Sequence, residues 1–272
     1  MKSPTIGTIH LNVANLDSMV TFYRDIIGLQ EHRRENDTIF MGVGAEDLLA
    51  LHHQPDYPRI AGLTGLYHFA ILLPSRPDLG RSLKHLIATR TPLQGTSDHY
   101  VSEAVYLADP EGNGIEIYRD KPREDWFLDG EMQLTSTPMD YRGVLDTVQS
   151  EDVKFAGLPS GTIIGHIHLH VASVPQAETF YRDVLGMDIL FNLGSATFMS
   201  YNGYHHHIGA NIWAGRNLPI QPVQGLEKYV LHVGDALDNI LSKVEAAEVA
   251  IQTLDDGYLI RDSSQNAIVL AK

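Results

Sequence analysis

Apolar and polar residues alternate along "TIHLNV": Ile9, Leu11 and Val13 interleave with Thr8, His10 and Asn12. That is the period of a strand packed on one side. The pattern then changes. Met19, Phe22, Tyr23, Ile26 and Ile27 follow helical spacing, with Asp17 near the start and Gly28 as a C-terminal stop. "TIFMGVG" and "DLLALHH" are short strands around a glycine turn, so the unit reads β-α-β-β with a further strand expected. The same order recurs: "IGTIHLNVANLDSMVTFYRDIIGLQ" matches "IGHIHLHVASVPQAETFYRDVLGMD", from Ile164, without a gap. Roughly half the positions are identical, where about one in twenty would be chance.

Two weaker copies complete the set. "GLYHFAILLPS", "DLGRSLKHLIATR" and "EAVYLADPEGNGIEIY" predict a strand, an amphipathic helix and two strands around a turn. The Asp-Pro-Glu-Gly-Asn-Gly run is a turn by its chemistry, since proline fixes φ while Gly and Asn accept positive φ. "KYVLHVGD", "ALDNILSKVEAAEV", "GYLIRD" and "NAIVLAK" repeat that order. The expected class is α+β, with four modules paired in chain order into two half-barrel domains, 1–118 and 163–272. The polar, proline-containing segment 119–162 would link them, with Trp126 and Phe127 packing it down.

Alternation also assigns faces. Packing Ile9, Leu11 and Val13 leaves His10 opposite; Tyr67, Phe69 and Ile71 leave His68; Val105 and Leu107 leave Tyr106; Ile115 and Ile117 leave Glu116. Whether that shared face is a cavity or open water is not decided by alternation. Two imidazoles and a carboxylate are nevertheless the triad that holds divalent iron or manganese with positions open. Zinc hydrolysis uses the same ligand types, but gives no obvious place to His99 and Tyr106 beside the carboxylate strand.

Composition narrows the partners. A formal charge of −14 argues against nucleic acid and anionic membranes. There is no cysteine, which removes thiolate sites, disulfides and a Cys nucleophile. No apolar run approaches membrane-spanning length and "MKSPTIGTIHLNV" lacks a signal-peptide core, so a cytoplasmic protein is expected.

The repeats, "FYRDIIGL" and "DPEGNGIEIY" together resemble the vicinal oxygen chelate superfamily, which includes glyoxalase I, fosfomycin-resistance proteins and extradiol dioxygenases. Both halves share the likeness, and the whole is most similar to two-domain bacterial catechol 2,3-dioxygenases. The resemblance implies βαβββ modules paired into metal-holding cups, with His10, His68 and Glu116 as ligands to Fe(II), Mn(II) being a fit to the same set. It implies His99 as acid/base and Tyr106 as hydrogen-bond donor, in a ring cleavage of a small aromatic diol by O2. It also implies a role in aromatic catabolism and assembly as a homo-oligomer.

Departures matter. Better-known two-domain relatives carry the metal in the C-terminal pair. Here His168 repeats His10, but Lys228 and Val269 stand where His68 and Glu116 would recur, which assigns the centre to the N-terminal half. His168 with His205, His206 and His207 of "YHHHIGANIW" is a candidate second site; the same run resembles a segment from which one His of extradiol enzymes faces substrate. His52 and His53 read as solvated. A glyoxalase-like isomerase would need a fourth ligand near Ala50, which has none to offer. A non-catalytic binding or resistance protein would have lost the triad.

Overall fold

The computed structural model describes residues 4–148 and 155–272. The first module comprises β1 (Thr5–Val13), α1 (Leu16–Phe22), β2 (Gln30–Glu35), β3 (Thr38–Val43) and β4 (Glu46–His53). The second comprises β5 (Gly65–Leu72), α2 (Arg76–Ala88), β6 (Leu93–Asp98), β7 (Ser102–Ala108) and β8 (Gly114–Asp120). A short hairpin, β9 (Phe127–Leu128) and β10 (Glu131–Met132), and α3 (Tyr141–Asp146) follow. The third module is β11 (Ile163–His170), α4 (Val174–Thr179), β12 (Asp188–Asn192), β13 (Ala196–Ser200) and β14 (Ile208–Asn211). The fourth is β15 (Gly225–His232), α5 (Leu237–Ala246), β16 (Gln252–Leu254), β17 (Gly257–Arg261) and β18 (Ala267–Ala271). No helix among the described residues is long and apolar enough to cross a membrane.

Local chemistry accounts for the boundaries. Asn15 caps α1 by accepting from the Ser18 amide at 3.0 Å, and the helix relaxes into a π-helical turn over Tyr23–Ile27. Gly28, at φ +96°, ends it; a Cβ there would meet the Phe155 ring at 2.7 Å. Ser75 caps α2, whose Leu79, Leu83 and Leu86 are buried. The segment after β8 packs through Trp126, buried and donating from Nε1 to the Lys121 carbonyl at 2.9 Å, whereas Phe127 is exposed. Val144 of α3 is buried, its carbonyl so near Gly80 of α2 that a Cβ would meet it at 2.6 Å. Residues 149–154 of the expected linker lie outside the described residues.

The pairing of modules corrects the expectation from chain order. One eight-stranded sheet runs β16-β17-β18-β15-β1-β4-β3-β2, and the other β12-β13-β14-β11-β5-β8-β7-β6. Module one therefore continues into module four, and module two into module three. The contacts likewise gather the chain into residues 1–14, 52–69 and 165–272, and residues 15–51 and 70–164, not into 1–118 and 163–272. The physical reason is the edge that each first strand presents. β1 is antiparallel to β15, with Ile9 opposite Tyr229 and His10 opposite Lys228.

Two buried carboxylates brace the carboxylate strand. Asp109 takes the Tyr23 hydroxyl at 2.7 Å, the Glu111 and Asn113 amides at 3.0 and 2.8 Å, and Asn113 Nδ2 at 2.8 Å. Burial raises its pKa against these donors. The repeat preserves the device: Asp262 takes Tyr181, the Ser264 and Asn266 amides and Asn266 Nδ2. Buried Glu103, on β7, accepts from Arg76 at 2.8 and 2.9 Å and from Arg119 Nε at 2.7 Å.

Asp109→Ala would strand these donors and is expected to cost about 3 kcal/mol in urea unfolding; a loss below about 1 kcal/mol would show the turn is not braced this way. Burial opposes ionisation of Glu103, but Arg76 and Arg119 win and lower its pKa. A depressed carboxyl stabilises the fold above its unfolded pKa and loses that contribution as pH falls through the lower folded value. Melts from pH 6 towards 3 should thus fall more steeply in wild type than in Glu103→Gln, and parallel curves would contradict the assignment.

Candidate metal centre

The strand β11 carries three histidines in alternation, His166, His168 and His170, while Ile167, Leu169 and Val171 between and after them are fully buried. Period two therefore turns all three imidazoles to one face. On β5, Phe69 and Ile71 pack inward and His68 is left opposite, buried at 7 % exposure. Its ring lies 5.6 Å from that of His166 and 5.1 Å from that of His168. On β8, Ile115 and Ile117 pack and leave Glu116, itself only 2 % exposed.

His68, Glu116 and His166 each offer one ligand atom, and those atoms lie within 4.8 Å of one another. This grouping confirms no ion, but its donor set fits one. Two imidazoles and a carboxylate suit divalent iron or manganese, and three ligands leave coordination positions open. Burial of all three makes a bound cation the natural compensation for the carboxylate's charge.

His10 is not in that group. β1 lies against β15 rather than β5, which sets His10 with His52 and Glu227 in a second cluster. His10 Nδ1 is 2.9 Å from His52 Nε2, and His52 Nε2 is 2.9 Å from Glu227 Oε2. His52 is accordingly half-buried and bonded rather than solvated, as is His53 in burial alone. Burial opposes the charge on Glu227, but the hydrogen bond and charge of His52, then Lys228 and His10, bring its pKa down to about 2.

Tyr106 lies directly across from Glu116 in the β7–β8 ladder, so the two share a face. His99 Nδ1 sits 2.7 Å from the Thr135 carbonyl and Nε2 sits 2.6 Å from the Tyr106 hydroxyl. A carbonyl only accepts, so Nδ1 carries the proton and, in the neutral ring, Nε2 accepts from Tyr106. The expected pair is thus joined, with an oriented phenol between His99 and the carboxylate strand.

The run His205–His207 does not make a separate ligand group with His168 among the described residues. His207 Nδ1 accepts from the Tyr201 amide at 3.3 Å and closes the β13–β14 connection. His205 is fully buried, 2.9 Å from His206 through their Nδ1 atoms. The His206 ring instead lies tilted against that of His166, with centroids 4.1 Å apart, beside the first cluster. Burial, then the neighbouring imidazoles led by His166, holds its pKa well below the ordinary value, so it is neutral near pH 7. Phe198, Tyr67 and Trp213 line the same face, at 5.1 Å from His206 and at 5.1 and 5.7 Å from His168 respectively.

The residue that sequence reasoning missed is His166. The ungapped repeat equated His168 with His10 and drew attention one turn of the alternation too far along. The visible signal was "HIHLH" itself, three histidines on one side of one strand.

The family model for the Glyoxalase/Bleomycin resistance protein/Dioxygenase superfamily matches residues 5–117. A catechol-2,3-dioxygenase of Bacillus subtilis (strain 168) is 42% identical over 275 residues, covering 97% of this chain and 95% of that one. The chain belongs to this superfamily. Solved structures carry the superfamily fold at low identity. A putative dioxygenase from Bacillus subtilis aligns at TM-score 0.65 and 14% identity, covering 99% of this chain and 85% of that one. Glyoxalase I from Zea mays aligns at 0.60 and 14%, covering 98% and 92%. Members with different reactions thus share the architecture, and the site must discriminate among them.

His166→Ala is expected to weaken Fe(II) binding at the first cluster by at least tenfold in chelator competition, while His168→Ala changes it only a few-fold. Equal effects, or none from His166→Ala, would contradict the grouping.

Proposed function

We propose that the chain is an extradiol ring-cleaving dioxygenase acting on a small catechol, with Fe(II) or Mn(II) held by His68, Glu116 and His166. The buried two-histidine, one-carboxylate cluster carries the reading, and the catechol-2,3-dioxygenase relative supports it over nearly the whole chain. Three ligand residues, with no fourth, gather at this cluster among the described residues, which favours it over a glyoxalase-like isomerase with a fourth protein ligand.

Bound in that triad, the metal would supply the redox step, activating both a chelating catechol and dioxygen. The chain's residues do the rest. Phe198 and the outer ring of Tyr67 and Trp213 offer aromatic walls for a planar ring. Tyr106 points a hydroxyl on the Glu116 face, and His99 can return or remove that proton through Nε2, held in register by the Thr135 carbonyl.

Protein loaded anaerobically with Fe(II), then given catechol and air, should form a yellow ring-cleavage product at rates far above iron alone. Tyr106→Phe should lower kcat by about tenfold to a thousandfold with a smaller change in KM. Turnover of a methylglyoxal hemithioacetal with indifference to every catechol tried would sink the proposal.

A further inference from the structure

The second cluster has more structure than a chance meeting of side chains. In the β1–β15 ladder, Ile9 faces Tyr229 and His10 faces Lys228, but Leu11 faces Leu226. Glu227 is the extra residue of a β-bulge. Without it, alternation would send Glu227 to the side opposite Lys228, away from His10. The bulge re-aims the carboxylate onto the histidine face, the use to which bulges near functional sites are put. Lys228 Nζ stands 3.5 Å from Glu227 Oε1, leaving Oε2 to His52.

We infer that His10, His52 and Glu227 form a second divalent-metal site, distinct from the first in strands and in ligands. The spacing suits it. Bonds of about 2.1 Å at right angles separate neighbouring ligand atoms by about 3 Å, and both observed separations are 2.9 Å. His10 is buried and His52 half-buried, so two imidazoles and a carboxylate, donors that suit a first-row transition ion such as Zn2+ or Ni2+, converge out of bulk water.

Three ligands leave positions open, and the structure provides a space beside them. His52 and Glu227 themselves line a cavity of about 470 Å³, together with Asn12, Gln54, Tyr57 and Thr64. Asn12 is held there by its Nδ2 donating to the Val223 carbonyl at 3.2 Å, which presents its Oδ1 as an oriented acceptor. A water or a small oxygen donor on the ion would find polar partners on that wall. The site does not depend on the dioxygenase reading, because it shares no ligand with the first cluster.

The test is the metal stoichiometry of the full chain, by equilibrium dialysis against Zn2+ and elemental analysis. Wild type should hold two ions per chain. A Glu116→Ala/His166→Ala chain should hold one, and adding His52→Gln and Glu227→Gln should weaken that remaining site at least tenfold. Circular dichroism and melting of each variant establish that it is folded. His10→Gln, with a separate ligand removed, provides the check should either paired variant fail to fold. A first-cluster variant that binds no ion overturns the inference, as does undiminished binding after the second cluster is altered.

Discussion

The period-two alternation of a strand with one packed face decides where the chemistry of this protein lies. The first strand of a module buries its aliphatic residues on one face, as Ile9, Leu11 and Val13 do on β1 and Ile167 and Leu169 on β11. Their neighbours have only the opposite face to occupy. A one-residue slip would exchange the two sets, setting the aliphatics among the buried polar groups and the imidazoles in the apolar core. The cost of that exchange, of the order of several kcal/mol for three buried side chains, is what keeps the histidines in place.

That constraint made much of the fold legible. The helices over Leu16–Phe22 and Arg76–Ala88, the hairpin around "ADPEGNG" and the carboxylate between Ile115 and Ile117 all follow from local periodicity and turn chemistry. The pairing of modules did not. A hydrogen-bonded strand edge is the same backbone whichever neighbour it meets, and nothing local in "TIHLNV" distinguishes β15 from β5 as the partner. Reading modules as paired in chain order therefore placed His10 with His68, and the sheet order separates them.

The candidate site was legible in two-thirds of its ligands for the same reason. His68 and Glu116 lie within one module, where periodicity speaks. The third ligand comes from another module, where only topology does. His166 was hidden further by the strength of the repeat: the match aligned His168 with His10 so well that the preceding histidine, aligned with Thr8, drew no notice. The bulge at Glu227 is beyond alternation altogether, since it is an interruption of the pattern on which the reading relied.

The two sheets thus present a duplicated plan with unequal contents. The turn carboxylates Asp109 and Asp262 brace equivalent strands with the same set of donors, yet one strand carries Glu116 and the other Val269. The scaffold is the same in both copies, and the candidate ligand is in one of them. The central claim is the proposed ligand set, His68, Glu116 and His166. Crystals grown with Fe(II) and measured above and below the iron edge test it directly. An anomalous peak within bonding distance of His68, Glu116 and His166 is the expected result, and the lack of any peak there in iron-loaded, active protein would contradict the account.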